Sequence, residues 1–176
     1  VQWECYPEQT LDYTKDIELI SATRSATDMT LSEFTAITKV ETFPDYLKSA
    51  IVNDSILRVY CNGEINYKLR GIHAKVSVTW AYKAPEGAGD THYSIMRGTL
   101  ANLIIRQGAE QQYKPTLYIE PLTQDPSYEQ TLTDKVKSVA AKYPGVEVKK
   151  TEKGWEVIIP EKYKEGHVAH FARVIE

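Results

Sequence analysis

Cysteine is nearly absent, with Cys5 and Cys61 the only two in 176 residues. They are too far apart for a zinc-ligand spacing or a CxxC redox pair, and they read as buried free thiols rather than as one bridge. An excess of positive charge is missing too. With 21 Lys and Arg against 24 Asp and Glu, the net charge is −3, so no cationic field exists to draw nucleic acid or an anionic membrane surface. No apolar run approaches the roughly 20 residues that span a bilayer, and no basic segment followed by an apolar one opens the chain as a secretory leader does. Nucleophile-elbow GxSxG and P-loop sequences are also lacking. Motifs alone therefore describe a domain with no visible catalytic unit.

What is present is ordinary in bulk. The hydrophobic fraction of 42% and charged fraction of 26% are those of a globular protein. The length suits a single domain over residues 1–176 that buries roughly 70% of its unfolded surface. Twelve tyrosines and three tryptophans sit mostly in strand-like segments. The chain opens at Val1-Gln2-Trp3-Glu4-Cys5 and closes at His170-Phe171-Ala172 within a helical pattern, which we read as a segment cut from a longer protein.

Residues 71–107 carry the strongest pattern and predict a three-strand meander. Ile72, Ala74, Val76, Val78, Trp80 and Tyr82 alternate with His73, Lys75, Ser77, Thr79 and Lys83, so one sheet face is apolar and the other polar. The run from Pro85 to Asp90, with Gly87 and Gly89, breaks the first strand. A second strand is expected over 91–97, turning at Gly98 into a third over 99–106.

Elsewhere, a strand is expected over 16–24. Thr30-Leu31-Ser32-Glu33 has capping-box form, opening a short helix with Leu31, Phe34 and Ile37 on one face. Pro44 suits the start of another helical turn. Asn62-Gly63 predicts a hairpin between strands over 55–61 and 64–70. The apolar set moves from odd positions (Ile65, Tyr67, Leu69) to even ones after Gly71, which demands a bulge or a tight bend; we favour the bulge. A strand over 115–122, a helix over 126–143 with Leu132, Val136, Val139, Ala140 and Tyr143 as its core stripe, a hairpin turning at Lys153-Gly154, and a last helix from about Lys164 complete the chain. The expected fold is α+β, a large, predominantly antiparallel open sheet with helices packed on one face.

Several constellations invite chemistry. Gly87-Ala88-Gly89 is followed by a strand, not a helix, so it does not form a dinucleotide loop. His167-x-x-His170 shares a helix face but has no third ligand at a metal spacing. Glu86, Asp90 and His92 cluster beside the glycines, where acid–base work is conceivable, though acidic residues are common in turns. Lys75, Ser77, Thr79 and Arg97 suit a polar wall for a hydroxylated small molecule or a subunit interface; a solvated sheet face is the plain alternative.

The block Gly87-Ala88-Gly89-Asp90-Thr91-His92-Tyr93-Ser94-Ile95-Met96-Arg97-Gly98-Thr99, with Gln2-Trp3-Glu4 and Gly166-His167-x-x-His170-Phe171, resembles the C-terminal domain of oxidoreductases of the glucose–fructose oxidoreductase / inositol dehydrogenase (Gfo/Idh/MocA) superfamily. The resemblance covers essentially the whole chain. It implies a two-domain parent in which an N-terminal Rossmann domain, not contained here, holds NAD or NADP, while this domain supplies the substrate pocket for a sugar or polyol and a sheet for homo-oligomer assembly. No cofactor is expected in this segment itself. The family's glycine fingerprint, its Glu-Lys-Pro motif and its His-x-x-Asp helix do not occur in this sequence, so no catalytic residue is assigned. Lys75, His92 and Arg97 are the expected substrate-facing donors. The expected function is that of a substrate-binding and oligomerisation domain, inactive alone, whose partners are its own Rossmann domain, further copies and a small sugar or polyol, with neither nucleic acid nor membrane. A non-catalytic module used only for assembly is the alternative. A stand-alone sugar-binding domain would want exposed tryptophans, and the apolar parity of Trp80 counts against it.

Overall fold

The computed structural model describes residues 5–6, 9–80 and 85–164. The chain divides into two compact units, Val1–Ala84 and Pro85–Glu176, each with its own antiparallel sheet.

In the first unit, β1 (Ile17–Thr30) pairs along the whole of β3 (Ile56–Leu69). The two-residue β2 (Ile51–Val52) and β4 (Ile72–Val78) share the opposite edge of β3. Helix α1 (Leu31–Thr38) starts at the expected capping box: the Glu33 carboxylate accepts from the Thr30 amide at 2.8 Å, and the Glu33 amide donates to the Thr30 hydroxyl at 3.3 Å. Of its expected apolar face only Phe34 is buried, while Leu31 and Ile37 are exposed. Phe34 meets Phe43 edge-on at 5.1 Å and packs with Met29 and Leu57 into a small core. A 3-10 turn at Asp45–Ala50, preceded by Pro44, closes over it.

Two expectations here are corrected. Asn62-Gly63 makes no hairpin, because β3 runs through it without a turn. The Asn62 side chain is occupied across strands, donating to the Thr27 hydroxyl at 3.1 Å and accepting from the Trp80 amide at 2.8 Å. The turn comes instead at Arg70-Gly71, where φ of 48° and 83° and the pairing of Leu69 with Ile72 make a two-residue hairpin loop. The parity change at Gly71 is thus a tight bend and not the bulge we favoured. Genuine register shifts occur between Leu19 and Ser21 and between Ser25 and Thr27.

In the second unit the strand order is β5-β6-β7-β9-β8, from β5 (His92–Arg97), β6 (Ala101–Gln107), β7 (Thr116–Pro121), β8 (Glu147–Thr151) and β9 (Gly154–Ile158). The expected meander over 71–107 is therefore shared between two sheets: β4 pairs with β3, and β5 pairs with β6. Helix α2 (Tyr128–Lys142) sits by β8, with Tyr128 5.9 Å from Trp155 and Glu129 paired to Lys150. Its expected stripe is only half-realised: Leu132, Val136 and Ala140 are partly buried, and Val139 and Tyr143 are exposed. Ile104, Ile119 and Trp155 are the buried centre of the sheet. Gly154 is required where β9 begins. Its φ is +151°, and a Cβ there would lie 2.1 Å from the Ile119 carbonyl oxygen.

The α+β class and antiparallel pairing are those expected. Cys5 and Cys61 are free and partly buried. No described helix is long and apolar enough to cross a membrane. The expected last helix, His167, His170 and Tyr82 lie outside the described residues.

Candidate functional site

Residues paired across an antiparallel ladder share a face, and this decides which of the expected site residues can act together. Lys75 belongs to the first unit, on β4 opposite Asn66. Its ammonium lies 2.7 Å from the Glu64 carboxylate. That bond, with a further one from Asn66, holds Glu64 below the usual carboxylate range. Lys75 is thus already paired. Ser77 opposes Glu64 in the same polar row.

The other face of that sheet is apolar and open. Leu19 (64% exposed), Ile65 (45%), Val76 (42%) and Val78 (60%) lie uncovered, and a shallow concavity of about 460 Å³ runs between Ala22, Arg24, Ile65, Val76 and Val78. Burying such side chains is favourable by roughly 1.5–3 kcal/mol each, so an uncovered row of them marks a surface suited to a partner.

His92 and Arg97 stand at opposite ends of β5 in the second unit. Five residues apart on one strand, they face opposite sides. His92 is exposed and pairs with Gln107. The loop before it is tied down where the Gln107 amide donates to the Asp90 carbonyl at 2.9 Å. Arg97 pairs with Asn102, and Asn102 with Glu120, so Arg97 shares a face with Glu120. The three expected donors are therefore not gathered within either unit.

A different group is gathered. On the face that carries Glu120, an Arg106 guanidinium nitrogen donates to a Glu120 carboxylate oxygen at 2.7 Å, with both side chains largely shielded (33% and 24% exposed). The guanidinium carbon lies 5.3 Å from the centre of the Tyr118 ring, where cation–π attraction holds it. Gln111, on the 3-10 turn Ala109–Gln111, donates to the Tyr118 hydroxyl at 3.4 Å. With the β8–β9 hairpin tip, these residues line a concavity of about 300 Å³ that also takes in Glu110, Glu152 and Lys153. Sequence reading missed this group because Arg106 and Glu120 stand on different strands. Only the β6–β7 register puts them on one face; the available signal was a charged residue on each of two adjacent half-buried strands. Among the described residues no set of His, Cys, Asp and Glu is arranged to hold a metal ion.

Comparison with known proteins supplies the family. A comparison with curated proteins gave no match. Among solved structures, a chain described as a putative oxidoreductase from Parabacteroides merdae ATCC 43184 is similar, with 49% identity and a TM-score of 0.90. The match covers 98% of this chain and 40% of that one, so the present chain spans less than half the length of its relative. The family model described as "Putative oxidoreductase C terminal domain" matches residues 1–176, and the chain belongs to that family.

Proposed function

We propose that this chain is the C-terminal, substrate-binding domain of a two-domain NAD(P)-dependent oxidoreductase of the Gfo/Idh/MocA type, acting on a sugar or polyol. The observation that carries the reading is the family match along the whole of residues 1–176. The relative's greater length leaves room for a nucleotide-binding portion beyond the matched region, and no GxGxxG opens a helix in this sequence. In this reading the nicotinamide and the hydride-transfer residues belong to the other domain. This chain orients the substrate hydroxyls and shields them from water, and it turns nothing over by itself.

Of the three donors expected from sequence, Arg97 fits best, because it shares the face of the Arg106–Glu120 pair. Lys75 is neutralised by Glu64, and His92 faces the other way. Replacing Arg97 by Ala in the parent protein should raise KM for the polyol with a smaller effect on kcat, and His92→Ala should change both less. The reverse order would remove Arg97 from the site. Calorimetry of this chain with NADH should give no binding heat, and micromolar binding would contradict the division of labour.

The uncovered apolar face of the first sheet favours a second role in subunit assembly. Light scattering of the chain should show a dimer that Ile65→Glu dissociates. A monomer at all concentrations would leave assembly without support.

A further inference from the structure

We propose that the concavity between the Ala109–Gln111 turn and the β8–β9 hairpin tip is a binding site for one neutral, polyhydroxylated molecule of monosaccharide size. Its volume of about 300 Å³ lies at the small end of ligand pockets. The lining supplies both hydrogen-bonding roles. Glu110, Glu120 and Glu152 only accept, whereas Arg106 and Lys153 only donate, and Gln111 does both. A hydroxyl group donates and accepts at once, so a ring of hydroxyls matches such a mixture, whereas an apolar ligand would leave these groups unpaired.

Charge argues against an anion. Three carboxylates and two cations line the site, and Glu120 already neutralises Arg106, so no free cationic fork is offered to a phosphate or sugar carboxylate. The pair is also preorganised. Glu120 and the Tyr118 ring fix the Arg106 guanidinium from two directions, and Gln111 fixes the Tyr118 hydroxyl. Less ordering remains to oppose binding. Arg106 has five N–H donors, and among the described residues Glu120 is the one side chain that accepts from it. Donors therefore remain for a ligand.

The inference rests on the proposed sugar or polyol chemistry for the ligand's class but not on the cofactor, so the two can fail separately. The test is a two-dimensional amide NMR titration of the 176-residue chain with D-glucose and myo-inositol, with D-gluconate as the anionic comparison. Saturable shifts are expected at Arg106, Gln111, Tyr118, Glu120 and Thr151, with gluconate weaker than either neutral probe. Glu120→Gln should weaken binding about ten-fold, the scale of a hydrogen bond to a charged group. Glu152→Gln, on the exposed hairpin tip, should weaken binding severalfold with an unchanged spectrum elsewhere, which separates loss of contact from loss of fold. Unsaturable shifts, shifts outside this concavity, or tighter binding of gluconate would overturn the site. If the parent oxidises a polyol with NAD(P) and Glu120→Gln leaves its KM unchanged, the site is wrong and the functional reading stands. If the chain binds the polyol here but the parent transfers no hydride, the site stands and the functional reading falls.

Discussion

In the first unit Arg58 and Asp28, Lys68 and Glu18, and Lys75 and Glu64 join strands across a solvent-facing sheet. In the second, Arg106 and Glu120 make their pair half-shielded beside Tyr118. The same residue types do different work in the two settings. Exposed pairs contribute little and are screened by salt, so the first unit leans on its few buried apolar side chains, Leu11 and Leu69 beside the Met29–Phe34–Leu57 cluster, while the apolar face of its sheet stays open. The second sheet is anchored by Ile104, Ile119 and Trp155 and holds a polar group against a packed wall. One sheet offers a surface and the other a pocket.

This contrast can be broken at its strongest points first. Gly154→Ala forces a Cβ against the Ile119 carbonyl at a φ that L-residues rarely adopt; it should cost about 4 kcal/mol and perturb the amide spectrum of β7, β8 and β9. A thermal midpoint within a degree of the unsubstituted chain's would show that β9 does not depend on a glycine at this position. Phe34→Ala removes the ring that meets Phe43 and fills the first core, at about 3 kcal/mol by denaturant unfolding. A cost below about 1 kcal/mol would mean that the first unit is held by something other than this cluster. Thr30→Ala deletes the capping box at α1 and should cost about 1 kcal/mol, with Thr30→Ser restoring most of it.

The smallest effect is acid sensitivity. Asp16, Asp28 and Glu64 lie below the ordinary carboxylate range because Arg70, Arg58 and Lys75 respectively donate to them. A carboxyl whose folded pKa is depressed contributes stability at neutral pH and loses it as pH falls through the carboxylate range. These pairs tie β1 and β4 to β3 or brace the Arg70-Gly71 turn, whereas the lowered Asp125 and Asp134 of the second unit act within local turns of chain. Amide protection in β1–β3 should therefore decline more than in β6–β7 between about pH 5 and pH 2, and an equal decline would remove the distinction. All of these groups are solvent-accessible, so the difference will be modest.

Local signals were legible in the sequence. Thr30 to Glu33 announced a helix start, and Lys153-Gly154 a hairpin whose two-residue loop proved to be Glu152-Lys153, one residue earlier, with Gly154 already in β9; each is decided by backbone geometry within a few residues. Asn62-Gly63 misled for a tertiary reason: its partners, Thr27 and the Trp80 amide, lie 35 and 18 residues away and make it useful inside a strand. Arg70-Gly71 hid a better turn behind an arginine at positive φ, which the bonds to Asp16, Gln9 and the Thr10 carbonyl help to hold. The alternation of β4 was read correctly, and both of its faces proved open, since His73, Lys75 and Ser77 are exposed along with Ile72, Val76 and Val78. The Arg106–Glu120 pair was illegible, since nothing short of the β6–β7 register joins residues 14 apart. The likeness to an oxidoreductase C-terminal domain was borne out over residues 1–176 where side-chain patterns were not, because it drew on the whole chain at once.

The most direct measurement is the polyol-dependent reduction of NAD or NADP by the parent protein, followed at the nicotinamide absorbance over a panel of neutral sugars and inositols. The proposed function predicts saturable hydride transfer with at least one of them; the proposed binding site adds that Glu120→Gln raises KM with a smaller effect on kcat. No nicotinamide reduction with any of the panel would contradict it.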